Sequence, residues 1–363
     1  MIKRLFLLFC LCLFLTGCSY KNDGRTVIKF STWGSASELK ILAPMIKDFE
    51  TQNPDVKIEV LHIPQDYFKK LHLLFASNLA PDVIFINNLN LPVYEKFLAD
   101  IDIDESLYFP QTVAGMSING NLKAVPRDVS TLVIFYNKSL FNKYHVSYPK
   151  KDWTLSDLIQ TSKLLTRDGI KGISFEPKAA YAVPYINSSG EDILDDNCQN
   201  GMKLYKELAY KYNYAPTPAQ IGSKTLAQMF LEEKICMHLS GRWMVPKYRE
   251  AANFEWDIVN FPNCSATSDT SGWAISKSSK NKAAALRFVM FLANKENIAK
   301  FAADGLIVPA RRDVAYSDVF LSGKPKNSKL FLYAVENSRP TKVSKNYIKI
   351  TDKLSDTLFD SVK

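Results

Sequence analysis

Histidine and cysteine are scarce in this 363-residue chain, which contains 4 and 6 of them. The histidines lie far apart without an HExxH pair, and the sequence has no GxSxG motif, no P-loop and no paired cysteines. The motifs of common metallohydrolases, serine hydrolases and nucleotide-binding enzymes are therefore missing. The sequence predicts no catalytic residue, no metal site and no cofactor.

Long hydrophobic runs are also missing, except for one at the start of the chain. Lys3 and Arg4 precede an unbroken apolar run over residues 5–15. This run is too short to span ~30 Å of hydrocarbon as a helix, so it is typical of a signal peptide. The LTGC sequence at 15–18 resembles the bacterial lipoprotein box, in which the cysteine, here Cys18, is lipidated. A plain secretory signal is the alternative.

This leader predicts an exported protein that is lipid-anchored at Cys18 to the bacterial cell membrane. Residues 1–18 would be the signal peptide and residues 19–26 a polar tether. Cys198, Cys236 and Cys264 then remain, an odd set that allows at most one disulfide and shows no metal-binding spacing. Burial as thiols is expected for most of them.

A dense run of basic residues is absent, although the formal net charge is +9, or +7 without the two basic residues of the leader. The lysines are scattered along the chain, which favours a solvated surface over a nucleic-acid site. Attraction to an anionic ligand or to a membrane is the alternative. We expect no nucleic-acid partner.

The remaining sequence has the length and composition of about two α/β domains, because 47% apolar residues can fill two cores. Apolar residues alternate as in strands over 27–32 and 56–60, and they recur at helical spacing over 41–49. This strand-helix-strand order predicts a crossover between two parallel strands. Residues 83–86 form a continuous apolar strand. Open α/β sheets bind ligands at the carboxyl ends of such strands.

Nine segments, taken in chain order from Thr32 to Val314, resemble the family 1 extracellular solute-binding proteins, the carbohydrate receptors of bacterial ABC importers. Each segment alone is a weak signal, but nine in the family's order are specific. The segments are TWGS, FETQNP, DYFKKL, APDVIFIN, VPRDVSTLVIFYNKSLF, WTLSDLI, GRWM, SGWAISKSSKNKAAALRFVMFL and GLIVPARRDV.

The resemblance implies a two-lobe, periplasmic-binding-protein-like α/β fold, with a mostly parallel sheet flanked by helices in each lobe and crossing hinge strands between them. Lobe 1 would comprise residues 27–128 and 258–304, and lobe 2 residues 129–257 and 305–363. Lobe 2 should be reduced, because the chain lacks helical sequence before Cys198 and the full C-terminal helical pair of many members.

Three crossings between the lobes are expected. The segment 126–130 would be a hinge facing the cleft, residues 258–261 would cross back, and residues 305–309 would make the third crossing.

By the same resemblance the chain would be a monomeric receptor that closes on a sugar and delivers it to ABC permease subunits. A sugar needs planar aromatic side chains for its C–H faces and polar side chains for its hydroxyls. The candidate ligand-binding residues are Trp33, Ser35, Glu38, Tyr67, Asn87, Arg127, Asp128, Ser130, Trp243, Gly272, Trp273 and Arg311.

The aromatic candidates have a structural alternative. Trp243 and Trp273 follow glycine-containing turns where a backbone can approach a ligand, which favours the cleft over the core. Trp153 and Trp256 stand in apolar surroundings and are expected to pack. Arg311 can equally be a surface residue.

Three other functions remain open. Arg127 and Arg311 could bind an anionic solute such as glycerol-3-phosphate or its diesters. A lipid-anchored glycosidase would need an acid and a nucleophile, yet Asp102 and Asp104 are typical of a solvated loop. A sensor lipoprotein without transport function would show no closure on a ligand.

Overall fold

The computed structural model describes residues 24–194, 198–262 and 267–359. The predicted signal peptide, its Cys18, most of the tether and Cys264 lie outside these residues. Within them, no helix is both long and apolar enough to cross a membrane. The side chains of Cys198 and Cys236 are buried, as expected.

The described residues form thirteen strands. They are β1 (Thr26–Thr32), β2 (Val56–His62), β3 (Val83–Asn87), β4 (Ser117–Ile118), β5 (Asn121–Leu122), β6 (Ala124–Ser130), β7 (Val133–Asn137), β8 (Lys171–Ile173), β9 (Ile235–Ser240), β10 (Trp256–Asn260), β11 (Thr267–Ile275), β12 (Val308–Pro309) and β13 (Arg339–Pro340).

The described α-helices pack around these strands. They are α1 (Ala36–Gln52), α2 (Tyr67–Ala76), α3 (Leu91–Tyr94), α4 (Pro110–Gly115), α5 (Lys138–Lys143), α6 (Leu155–Leu165), α7 (Ala179–Ser188), α8 (Gln199–Tyr210), α9 (Pro218–Ile221), α10 (Leu226–Leu231), α11 (Val245–Ala251), α12 (Lys282–Leu292), α13 (Lys295–Asp304), α14 (Arg312–Ala315), α15 (Asp318–Leu321), α16 (Lys329–Glu336) and α17 (Tyr347–Asp356).

Two main sheets define two lobes, so the predicted two-lobe α/β architecture is confirmed. Lobe 1 carries a seven-stranded sheet in the order β12-β6-β11-β3-β1-β2, with β13 added beside β11. Lobe 2 carries a four-stranded sheet in the order β10-β7-β9-β8.

The expectation of mostly parallel sheets is wrong. In lobe 1, β1 pairs in parallel with β2 and β3, but β11 runs antiparallel to β3 and β6. In lobe 2, β7 pairs antiparallel with β9 and β10, and only β8 and β9 are parallel. The reason is that β11, β7 and β10 begin or end at crossings between the lobes, so their directions do not follow from local strand-helix-strand units.

The central strands are apolar on both faces because both faces are covered. In β3, Val83 and Phe85 join the largest hydrophobic cluster, whereas Ile84 and Ile86 join the cluster on the opposite face. Strand β7 divides in the same way between that largest cluster and the core of lobe 2. A continuous apolar run is the pattern expected of a strand buried on two sides.

The first two crossings join the lobes at adjacent strands. Strand β6 ends the first pass through lobe 1 at Ser130, and β7 begins lobe 2 at Val133. The chain returns between β10 and β11, and β11 then pairs with β6. Residues 258–260 belong to β10 and therefore to lobe 2, so the boundary predicted at 258 is too early. Pairing of β10 with β7 holds these residues in lobe 2.

The predicted third crossing at 305–309 also differs from the observed sheet. Strand β12 pairs with β6 and extends the sheet of lobe 1. Farther along, α16 packs against β10 of lobe 2, β13 pairs with β11 of lobe 1, and α17 packs against α7 in lobe 2. The C-terminal segment therefore contacts both lobes.

The segment predicted to lack helix contains α7, a ten-residue helix with Pro184 inside it. Five of its residues are buried, and it packs against α8. An internal proline normally breaks a helix, so the sequence pattern does not predict this helix. This helix provides much of the lobe 2 wall of the site described next.

Candidate functional site

A cavity of about 170 Å³ lies where the lobes meet at the crossing segments. Both lobes and the C-terminal segment contribute to its walls. The lining residues are Ser130, Thr131, Leu132, Ala180, Tyr181, Val183, Pro184, Asn187, Ser188, Trp243, Phe261, Thr267, Asp269, Thr341 and Tyr347.

Hinge strands form the floor of this cavity. Ser130 and Asp269 are register partners in the pairing of β6 with β11. Thr341 is held beside them because its backbone N–H donates to the Ser268 carbonyl at 3.1 Å. The floor is therefore fixed by backbone hydrogen bonds between the elements that join the two lobes.

Aromatic side chains supply the walls. Trp243 lies in a 3-10 turn directly after Gly241, and a Cβ on Gly241 would lie 1.9 Å from Cζ3 of the indole. The indole thus packs flat against a backbone that only glycine leaves open. Tyr181, Phe261 and Tyr347 line the same cavity. Burial raises the pKa of Tyr181 to about 12, so its phenol stays protonated and can donate a hydrogen bond.

Asp269 is the carboxyl group of the cavity. Burial raises the pKa of this side chain, and the nearby polar groups of Thr341 and Asn88 partly oppose that rise. Its Oδ1 atom accepts no hydrogen bond from the described residues. Among the described residues that line the cavity, none is lysine, arginine or histidine.

Other polar groups at the crossings also have no hydrogen-bond partner in the described part of the chain. Thr131 Oγ1, which lines the cavity, has no such partner among the described residues. The side-chain oxygen and nitrogen of Asn260, at the end of β10, also have none among them. Buried polar groups are normally satisfied by protein, water or ligand. The site therefore offers aromatic faces, hydroxyl groups and one carboxyl to a bound molecule.

Only Ser130 and Trp243 of the predicted ligand-binding residues line this cavity. Ser130 stands at the end of β6, where the hinge was expected. The glycine turn that marks Trp243 in the sequence is the feature that places its indole in the structure. For the other ten, the structure gives different positions.

Glu38, Arg127 and Asp128 form a buried ion cluster next to the hinge. Arg127 Nη1 lies 2.5 Å from Glu38 Oε1, and Arg127 Nε lies 2.5 Å from Asp128 Oδ2. The guanidinium also lies 4.1 Å from the ring centroid of Phe85. Its two carboxylates hold the pKa of Arg127 above its usual value despite burial. These three residues satisfy one another and do not line the cavity.

Trp33 and Tyr67 belong to an aromatic cluster of lobe 1. The Trp33 ring lies 4.9 Å from the Tyr67 ring and 4.3 Å from the Phe85 ring. The Tyr67 hydroxyl lies 2.8 Å from Ser31 Oγ. Burial keeps the Tyr67 phenol protonated by raising its pKa. Both side chains pack at the carboxyl end of β1, outside the described cavity.

The prediction that Trp273 and Gly272 face the cleft is corrected by the structure. Trp273 is 1% exposed and lies in the core of lobe 1, 6.2 Å from Phe85. A Cβ on Gly272 would lie 2.2 Å from the Val125 carbonyl oxygen, at a shift in register between β11 and β6. Gly272 therefore allows close approach of two strands, which places the next side chain inside the lobe. Trp153 and Trp256 are buried as expected.

Three further candidates have local structural roles. Ser35 caps α1 by accepting a hydrogen bond from the Glu38 N–H at 3.2 Å. Asn87 accepts from the backbone and side chain of Asn90 in the turn after β3. Arg311 forms a two-point ion pair with Asp313, at 3.1 and 2.8 Å. Such contacts use the groups that a ligand would need.

Most cavity residues were missed from the sequence. Tyr181, Asn187 and Ser188 belong to the helix that the proline concealed, and Thr341 and Tyr347 come from the C-terminal segment. A usable signal was Asp269, an acidic residue two positions before the SGW segment of the same strand. Within residues 24–194, 198–262 and 267–359, no three metal-ligating side chains are grouped to hold an ion.

Curated relatives share moderate similarity over most of the chain. The galactooligosaccharide-binding protein of Bacillus subtilis is 27% identical over 317 residues, covering 78% of this chain and 73% of that protein. The sn-glycerol-3-phosphate-binding periplasmic protein UgpB of Shigella flexneri is 25% identical over 333 residues, covering 78% and 75%. These relatives bind different solutes.

Solved structures share the fold. The ABC substrate-binding protein Lmo0181 of Listeria monocytogenes, in complex with cycloalternan, has a TM-score of 0.83 at 24% identity and covers 93% of this chain and 95% of its own. UgpB of Mycobacterium tuberculosis, in complex with glycerophosphocholine, has a TM-score of 0.80 at 17% identity and covers 93% of both chains. These likenesses confirm the two-lobe binding-protein fold.

A family profile described as bacterial extracellular solute-binding protein matches residues 44–327, which is most of the chain. The match includes the sheet of lobe 2, the sheet of lobe 1 apart from β1 and β13, and the first two crossings between the lobes. The chain belongs to the bacterial extracellular solute-binding protein family, and it is an exported protein that binds a small solute.

Proposed function

We propose that this protein captures a small sugar in the cavity between its lobes and delivers it to the permease of an ABC importer. The observation that carries this proposal is the composition of the cavity, where aromatic rings and hydroxyl groups surround one carboxyl without a cationic side chain. The solute names of several relatives, including the galactooligosaccharide-binding protein, support a carbohydrate.

The cavity fits the two kinds of surface that a sugar presents. Its C–H faces favour flat aromatic rings such as that of Trp243, and its hydroxyls favour the carboxyl of Asp269 and the hydroxyl of Thr131. The volume of about 170 Å³ is below the ~300–1,000 Å³ common for drug-sized ligands. A short saccharide therefore suits the site better than a long chain.

An anionic solute fits the cavity less well. A phosphate site needs arginine forks or helix N-termini. Arg127 is held by two carboxylates and Arg311 by one, and neither lines the cavity. The similarity to a glycerol-3-phosphate-binding protein keeps this second function open, although the lining residues favour the sugar.

Binding would favour closure of the lobes. The floor belongs to the strands that join the lobes, whereas Tyr181 and Trp243 belong to lobe 2. A sugar held at the floor gains its further contacts only when lobe 2 approaches, so the closed form is stabilised by contacts that the open form lacks. The closed form would dock on the permease as a monomer, without chemical change to its cargo.

The leader would keep the protein at the cell membrane. Acylation of Cys18 would anchor the mature chain to the membrane, with the residues before β1 as a short tether. Mass spectrometry of the N-terminal peptide from the membrane fraction tests this step. A free serine at position 19 or an unmodified cysteine at position 18 would contradict lipid anchoring.

Calorimetry tests the proposed function directly. The purified protein is titrated with mono- and disaccharides and, in parallel, with glycerol-3-phosphate and its diesters. We expect micromolar or tighter binding of a saccharide, together with a smaller radius of gyration in X-ray scattering on its addition. Binding of the phosphate compounds alone would overturn the assignment. Binding without compaction would contradict the closure mechanism.

A further inference from the structure

The carboxyl of Asp269 has no cationic partner, unlike the other buried carboxylates near the hinge. Glu38 and Asp128 share the guanidinium of Arg127. Asp269 has its Oδ1 unpaired within the described part of the chain, and no cation contributes to its pKa shift. The polar groups of Thr341 and Asn88 compensate an anionic charge at this position only in part, and no described cationic side chain does so.

Charged groups around the cavity do not supply the missing cation. Lys342 follows the cavity residue Thr341, but its ammonium pairs with Asp192 Oδ2 at 3.1 Å. Tyr347 lies close enough to both Asp192 and Asp269 for their negative charges to contribute to its raised pKa. Arg339 also acts on Asp192, where its charge helps to lower the pKa of that carboxyl, and neither cation contributes to the pKa shift of Asp269.

A ligand can provide the compensation. Removing a carboxylate from water costs several kcal/mol unless an opposite charge or strong hydrogen bonds replace the solvent. An ammonium group has three donors and a full positive charge, so it satisfies a carboxylate more completely than a neutral hydroxyl does. The indole of Trp243 and the phenols of Tyr181 and Tyr347 also favour a cation, because their ring faces are electron-rich.

We propose that the solute is an amino sugar, whose ammonium group binds the carboxyl of Asp269 at the cavity floor. This inference rests on the proposed carbohydrate function and narrows its substrate class. Asp269 is then the residue that determines specificity for the amine, while the aromatic walls hold the sugar ring. Acetylation of the amine would remove the charge and leave one N–H donor in place of three.

The experiment compares matched ligands on the full-length mature chain. Calorimetry at pH 7 is run with glucosamine and its β-1,4-linked dimer, with the N-acetylated forms of both, and with glucose and cellobiose. Wild-type protein should bind at least one amine at least about tenfold more tightly than its acetylated and hydroxyl counterparts. The variant Asp269→Asn should lose this preference, since the amide keeps the shape of the side chain but not its charge.

A control variant removes a carboxylate of the same type at the surface. Asp66→Asn changes a side chain that is 61% exposed, next to Lys69, and it should keep the preference. Circular dichroism establishes that Asp269→Asn is folded; if it is not, the preference of the wild-type protein alone decides. Equal binding of amine and neutral sugars would overturn this inference and leave the proposed function standing. Binding of glycerol-3-phosphate but no sugar would overturn both.

Discussion

Arg127 Nη1 lies 2.5 Å from Glu38 Oε1, joining residues that are 89 positions apart in the chain. The contact ties the first turn of α1 to β6, the strand that leads into lobe 2. Asp128 completes the cluster from the next position of β6. The three residues are at most 6% exposed, so the cluster is part of the structure of lobe 1 at its hinge.

Replacing Arg127 with methionine is expected to destabilise the protein strongly. Two carboxylates would remain buried without their shared cation, a change that typically costs about 3–5 kcal/mol of unfolding free energy. Urea denaturation measures the loss.

Arg287→Gln is the matched control, because its ion pair with Asp55 is at the surface. Its expected cost is about 0–1 kcal/mol. Equal losses for the two variants would contradict the structural role of the buried cluster.

Trp243→Ala is expected to weaken solute binding by more than about 1 kcal/mol with little change in melting temperature. The side chain is only partly buried and lines the cavity, so its removal takes away a ligand contact more than a core contact. Calorimetry and thermal denaturation measure the two effects. An unchanged dissociation constant would remove Trp243 from the site.

Gly241→Ala is expected to weaken binding through the same indole. The added Cβ would lie 1.9 Å from Trp243 Cζ3, so the ring must move away from the backbone. Combining Gly241→Ala with Trp243→Ala should add little to the loss caused by Trp243→Ala alone, because both act on one contact. Additive losses would show that Gly241 acts in another way.

Trp273→Ala is expected to reduce stability by about 3–5 kcal/mol, the usual range for removing a large aromatic side chain from a core. Its side chain is 1% exposed and packs within lobe 1. The folded fraction should keep its affinity for the solute. A large loss of affinity without loss of stability would restore the original placement of this indole in the cleft.

His238 is expected to make the protein less stable in mild acid. Burial, with a smaller effect from Lys247, lowers its pKa from 6.5 to about 3 in the folded state. Its neighbours are Tyr248, whose hydroxyl contacts Nδ1, and Phe230. Below pH 6.5 the unfolded chain binds a proton that the folded chain excludes, so stability falls as the pH falls toward 3.

The size of this effect follows from the two pKa values. From pH 7.5 to pH 5 the contribution of His238 is about 2 kcal/mol, at about 1.4 kcal/mol per pH unit below pH 6.5. Urea denaturation of wild-type protein and of His238→Gln at both pH values measures the contribution of His238 to the free energy of unfolding. The exposed His72→Gln serves as control and should keep the wild-type dependence. An identical pH dependence in His238→Gln would contradict the exclusion of the proton.

The fold could be predicted from the sequence because its signals are local. The alternating residues of β1, the helical spacing of α1 and the apolar run of β3 each identify an element without knowledge of its partners. Family resemblance supplied the two-lobe arrangement. Strand direction in lobe 2 and the third crossing depend on distant pairings, such as β13 with β11, which local patterns do not specify.

The site was harder to predict because tertiary contacts decide which polar groups remain available. Glu38, Arg127 and Asp128 have the chemistry of ligand-binding residues, yet they pair with one another. Trp273 directly follows Gly272 and Trp243 lies two positions after Gly241, but Gly272 serves strand packing. Asp269 lines the cavity and has no charged partner among the described residues, two properties that appear only once the chain is folded.

In the proposed closure, the position of Asp269 opposite Ser130, on paired strands at the base of the crossings, would set an order of events. Points close to an axis of rotation travel little, while the far wall formed by α7 and the Trp243 turn travels more. A solute can therefore bind to the base of the cavity before the lobes move. This first contact is kept while the lobes close. Release into a transporter would reverse this order of events. The contact nearest the rotation axis would then be the last to break.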